Sequence, residues 1–195
     1  MKKRIQISIM LFALMLLGLG ASAQEQDTLP YREIPEHPTD YNAANMASRM
    51  VDGLGFRFYW ATEGLREVDL EYRPSAEARS VEETIDHILS MTYMLVNSVS
   101  QSSEERGEGL AFDEKRALIL TNLKATSDVL RNSNGADMET FTISLNNGET
   151  LPFWNYINGP IADCIWHCGQ IASFRRLSGN PFNPKVSLLV GKVID

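Results

Sequence analysis

Four stretches of this chain carry apolar residues three or four apart, and each is bounded by residues that stop a helix. That pattern limits what the chain can fold into more than any other feature. From Asn42 onward, Met46, Met50, Leu54, Phe58, Ala61 and Leu65 share one helical face, and Arg73-Pro74-Ser75 interrupts the chain after them. Ser80, with Glu83 three residues on, is the N-cap expected for a second helix. Its stripe is Val81, Ile85, Ile88, Thr92, Leu95 and Val99, ending near Ser100. Beyond the polar loop 101–109, Phe112 as a hydrophobic staple and Asp113 as a cap open a third helix. It carries Leu118, Leu123 and Leu130 to about Arg131, where Asn132-Ser133-Asn134-Gly135 ends it. A fourth helix runs from about Phe153 or Pro160 to Leu177, stopped by Gly179 and Pro181. Between the third and fourth the period changes to two. Phe141-Thr142-Ile143-Ser144-Leu145 alternates ahead of the turn Asn146-Asn147-Gly148, which predicts a small β-hairpin. The expected fold is all-α, a four-helix bundle with that hairpin between helices three and four.

The chain ahead of the first helix reads as an address and a leader. Lys2, Lys3 and Arg4 precede an apolar run, and Ala21-Ser22-Ala23 supplies a small-residue cleavage site. Residues 1–23 are therefore expected to be a secretory signal peptide. Residues 24–41, with Pro30, Pro35 and Pro38, form an extended leader, and 42–195 hold the helical domain and an irregular tail in which 186–190 packs on the helices. The mature chain is expected in the periplasm or outside the cell, with no membrane attachment after cleavage. The whole chain has 18 basic and 25 acidic residues. The signal removes three basic residues and no acid, leaving 15 against 25, and an acidic protein of this kind is not expected to bind nucleic acid. At 44% hydrophobic and 22% charged, the chain has the composition of a folded protein. Its two cysteines, Cys164 and Cys168, are four apart on one helix. They point the same way, pair poorly, and read as small core residues.

Two histidines stand inside the predicted helices, and His37 lies in the leader. His87 sits at the rim of the apolar arc of helix two, beside Met91, Met94 and Ser98. Asp163 and His167, four apart, project from one face of helix four, with Gln170 beside them. An Asp and a His at that spacing can share one ion with a third ligand from a facing helix. Three protein ligands would leave a coordination position open. The competing reading is that these are ordinary polar residues at helix rims. Glu63 lies among Phe56, Tyr59 and Trp60, and is a candidate catalytic general base or fourth ligand; the competing reading is an exposed acid at a helix end. Trp154, Asn155 and Asn158 precede helix four, where they either line the mouth of a pocket or cap the helix. Arg175 and Arg176 complement the dipole of the last turn or hold an anion. No Walker loop, GxGxxG or GxSxG is present.

Two motifs carry a family resemblance. One is Ser80-Val-Glu-Glu-Thr-Ile-Asp-His87-Ile. The other runs from Trp154-Asn155-Tyr156 through Asp163-Cys-Ile-Trp-His167-Cys-Gly169-Gln170-Ile171 to Arg175-Arg176 and Gly179-Asn180-Pro181. In order and separation they resemble the DinB-like (YfiT-like) superfamily of four-helix bundles with a metal site, over residues 42–185. The resemblance implies a metal triad of His87, Asp163 and His167, with Asp163 standing where the family has the first histidine of an H-x3-H pair. It also implies a divalent ion (zinc, nickel, iron or manganese), a small-molecule substrate and metal-dependent hydrolase or transferase chemistry. Pairing into a homodimer is expected as well. A non-catalytic envelope protein holding metal or ligand, and a vestigial site, remain the alternatives.

Overall fold

The computed structural model describes residues 29–145 and 147–195, so the expected signal at 1–23 and the first leader residues lie outside the described residues. The described chain is mainly helical. Four long helices, α1 (Ala43–Thr62), α3 (Val81–Ser100), α4 (Phe112–Arg131) and α7 (Ala162–Leu177), carry the core. Short helices α2 (Glu67–Leu70), α5 (Gly135–Thr140) and α6 (Trp154–Tyr156) join them, and a hairpin of β1 (Thr142–Ser144) and β2 (Thr150–Pro152) lies between α5 and α6. A second two-stranded ribbon, β3 (Val186–Ser187) with β4 (Lys192–Val193), closes the tail. α1 packs along α4 and α7, and α3 packs along the same two helices. Among the described residues, no helix is long and apolar enough to cross a membrane.

The apolar stripes explain this packing. All six stripe residues of α3 are buried, from Val81 to Val99. In α7 the buried residues Cys164, Cys168, Ile171 and Arg175 repeat at helical spacing, which places both free thiols in the core. α1 is enclosed on most of its circumference. Its buried set includes Ser48 and Asp52 as well as Val51, Leu54 and Phe58. Asp52, with no exposed surface, accepts hydrogen bonds from Ser127 Oγ at 2.6 Å, Tyr31 Oη at 3.3 Å and Arg131 at 2.5 Å. A buried carboxylate persists only when paired in this way.

Boundaries follow local chemistry. Ser80 and Glu83 form the expected capping box: the Glu83 N–H donates to Ser80 Oγ at 3.1 Å and the Ser80 N–H to the Glu83 carboxylate at 2.7 Å. The opening of α4 differs from expectation. Its N-cap is Ala111, whose N–H donates to Glu114 at 2.8 Å, so Asp113 and Phe112 lie inside the first turn. α1 stops at Thr62, three residues short of Leu65, and Gly64 then turns the chain at φ 68°. Helix α5 was not anticipated; Asn134 caps it with bonds from the N–H groups of Ala136 and Asp137. In the tail, Val186 packs on the core but Leu188, Leu189 and Val190 face solvent.

From Leu29 on, the described part of the leader is a packed strap without helix or strand. Tyr31 is buried against Gly55, and Trp60 Nε1 donates to the Arg32 carbonyl at 3.1 Å. Arg49 and Arg131 donate to the carbonyls of Pro35 and Glu36. His37 is exposed.

Candidate metal centre

The entry into α7 sets the geometry of the site. Pro160 excludes the residue before it from helical backbone. Gly159 accordingly takes φ −89°, ψ −107°, and the chain passes through a π-type turn at Ile157–Ile161 before α7 begins. Asp163 is thus the second residue of α7, and His167 stands one turn later on the same face. Opposite them, His87 lies seven residues into α3, beside the buried Ile88 and off the apolar stripe.

These three side chains meet. His87 Nε2 lies 2.8 Å from Asp163 Oδ2, and His167 Nε2 lies 3.4 Å from the same oxygen. The two imidazoles approach edge to face with ring centroids 4.8 Å apart. One ligand atom from each residue falls within 4.8 Å of the other two, so the group could hold a metal ion. Tetrahedral zinc with bonds near 2 Å spaces its donors about 3.3 Å apart, so only a small closure is needed. Two imidazoles and a carboxylate are the donors of catalytic zinc sites and of non-haem iron centres, and the carboxylate also suits manganese. The side chains are 27%, 34% and 13% exposed for His87, Asp163 and His167, enough for solvent to reach the cluster.

A fourth residue orients the third. His167 Nδ1 lies 2.6 Å from Gln170 Oε1. The amide oxygen can only accept, so the imidazole donates from Nδ1, which leaves Nε2 as the nitrogen available to a metal ion. Metal-ligating histidines usually carry such a partner on the far nitrogen. Gln170 was visible in the sequence as a neighbour on this face, without a role; the three-residue spacing from His167 was the signal.

Glu63 is not among the three donors that meet; its side chain is half-exposed, in keeping with the competing reading of an exposed acid at a helix end. It is the residue that ends α1, and its carboxylate pairs with Arg116 at 2.5 Å. Arg116 lies over the Tyr59 ring at 4.6 Å, so α4 supplies the cation for the acid among aromatics. Arg175 is likewise structural. It is 2% exposed and donates to the carbonyls of Trp60, Ala61 and Glu63, at 3.2, 3.0 and 2.9 Å. It thereby satisfies the open end of α1 instead of offering its charge to an anion. Cys164 and Cys168 point into the core; burial pushes both thiols up, Cys168 to about 12.

Asp163 also borders a cavity of about 440 Å³ between α3, the hairpin and the π-type turn. Asn155 and Asn158 line it, as one of the two sequence readings expected, whereas Trp154 is 73% exposed and lies elsewhere. Comparison with known proteins adds no assignment: no family model matches the chain, and no curated protein matches it closely enough to count as a relative.

Proposed function

We propose that this chain is an exported DinB-like four-helix bundle that binds one divalent ion through His87, Asp163 and His167 and hydrolyses a small molecule held beside it. The observation that carries this reading is the convergence of the three donors, one of which, Asp163, also borders a cavity. Three protein donors leave a coordination position open, which is the arrangement of a catalytic site and not of a closed structural one. A bound ion would supply Lewis acidity, activating water near neutral pH. The chain's own residues do the rest. Asp163 and His87 tie α7 to α3, Gln170 holds His167 in the ligating tautomer, and the hairpin covers one wall of the cavity. Hydrolysis needs only water, whereas the transferase chemistry of the resembling family needs a low-molecular-weight thiol, which is mainly cytosolic; the export signal therefore favours the hydrolase.

Elemental analysis of protein purified without a polyhistidine tag tests the metal. About one equivalent of a divalent first-row ion is expected, lost in His87→Ala and His167→Ala. No stoichiometric ion, together with an unchanged melting temperature in excess zinc, would refute the reading. Export is tested by mass spectrometry of the mature protein, expected to begin at Gln24.

A further inference from the structure

The face of α3 that carries His87 continues, at spacings of four, three and four residues, through Met91, Met94 and Ser98. His87 reaches Asp163. Met91 and Met94 form one wall of the 440 Å³ cavity, and Ile143, Leu145 and Leu151 of the hairpin region form the other. Ser98 Oγ donates to the Thr142 carbonyl at 2.7 Å, which pins the hairpin to α3 and keeps that second wall in place. The polar residues that border this cavity, Asn155, Asn158 and Asp163, all come from one short segment, α6 and the turn into α7. Beyond Met94 and Ile143, which it shares, lies a second cavity of about 610 Å³ bordered by Asn97, Ser98, Gln101, Ser102 and Thr142. Among the described residues lining the two, none is Lys, Arg or His, and Asp163 is the single ionisable group.

From this distribution we infer that the site takes a neutral substrate with an apolar acyl or alkyl segment. The scissile carbonyl group lies at the Asp163 end, the apolar segment lies between Met91, Met94 and the hairpin, and any further part is uncharged and hydroxyl- or amide-bearing. The inference rests on the metal-centre reading above and adds the class of substrate. An anionic tail such as a phosphate or carboxylate would find no cation along the cavity, and stripping it of water against thioether and aliphatic walls would be costly. An apolar tail gains with each methylene it buries. A carbonyl group at the polar end meets the Asn155 and Asn158 amides, the usual arrangement of a ligand site with few polar groups that fix orientation.

The test uses zinc-loaded protein and hydroxamic acids, which are uncharged in solution near pH 7 and give up the N–OH proton to solvent as they ligate zinc, with binding followed by calorimetry. Each buried methylene is expected to tighten binding about fourfold until the cavity is full, so hexanohydroxamic acid should bind at least about tenfold more tightly than acetohydroxamic acid. Succinic acid monohydroxamate, which ends in a carboxylate, should bind no better than the acetyl compound. Met94→Gln, which keeps the length of the side chain but makes it polar, should reduce the gain with chain length and leave the zinc affinity unchanged. Equal binding across the alkyl series, or tightest binding of the carboxylate-ended compound, would overturn the substrate class while the metal reading stands. Failure of the wild type to bind zinc would overturn both.

Discussion

Replacing Gln170 with leucine removes the acceptor on His167 Nδ1 and changes the side-chain volume little. The 2.6 Å contact is the hydrogen bond that sets which nitrogen faces Asp163, and without it the ring can turn or switch tautomer. Losing such a partner weakens metal binding about 10- to 100-fold. The consequence for stability can be worked out by mass action. Zinc at about 100 times the wild-type Kd stabilises the folded protein by about 2.7 kcal/mol. For a domain of this size that raises the melting temperature by about 5–11 °C. A variant binding about 30-fold more weakly keeps only about 0.9 kcal/mol at the same zinc concentration, or about 2–4 °C. A chelator-competition titration gives the Kd, and thermal melts with and without zinc give the shift. Gln170→Glu retains an acceptor and should retain the affinity, which separates loss of orientation from general damage. If Gln170→Leu folds normally and its Kd stays within about twofold of wild type, Gln170 does not orient His167 and the argument from the hydrogen bond is refuted.

Other outcomes are expected elsewhere in the molecule. Asp163→Ala should abolish stoichiometric metal, whereas Asp163→His should restore it with a stronger preference for zinc over manganese, read by elemental analysis after exposure to both ions. Asp69, fully buried, accepts two bonds from the Arg66 side chain and others from Ser178 and Asn180. The Arg66 hydrogen bond is the largest influence holding its carboxyl well below the usual range. A depressed carboxyl stabilises the fold above its unfolded pKa near 4 and loses that contribution as pH falls. Asp69→Asn should therefore cost about 2–4 kcal/mol at pH 7 in urea unfolding, and the gap to wild type should narrow by about 1 kcal/mol between pH 5 and pH 3. An aromatic disulfide reagent at pH 8 should label neither Cys164 nor Cys168 in the native protein and both after unfolding; native labelling would contradict their burial.

Most of the secondary structure could be read from the chain because periodicity and capping are local. The start of α3 at Val81 was legible to the residue, since Ser80 and Glu83 complete a hydrogen-bonded start within four positions. The hairpin was legible from its alternation and turn residues. Boundaries without such chemistry slipped. Asp113 looked like a cap, but the N–H of Ala111 found Glu114 instead, and α5 was too short to show a period. Within the site, Asp163 and His167 share a face by helical arithmetic alone.

What one helix does to another is not written in its own spacing. That His87 reaches Asp163 across two helices depends on the break at Gly159–Pro160 and on how α3 and α7 pack. Glu63 shows the converse. Its aromatic neighbours were evident in sequence, but the cation that claims it comes from Arg116, 53 residues away. Arg175 likewise looked like a charge for its own helix end until packing turned it toward the carbonyls of α1. The sequence determined which residues could ligate, cap or line, because those properties belong to side-chain type and to neighbours within a turn. Partnership among them was decided by the tertiary structure, because an ion or a hydrogen bond responds to distances of about 3 Å, and only packing sets those between residues far apart in the chain.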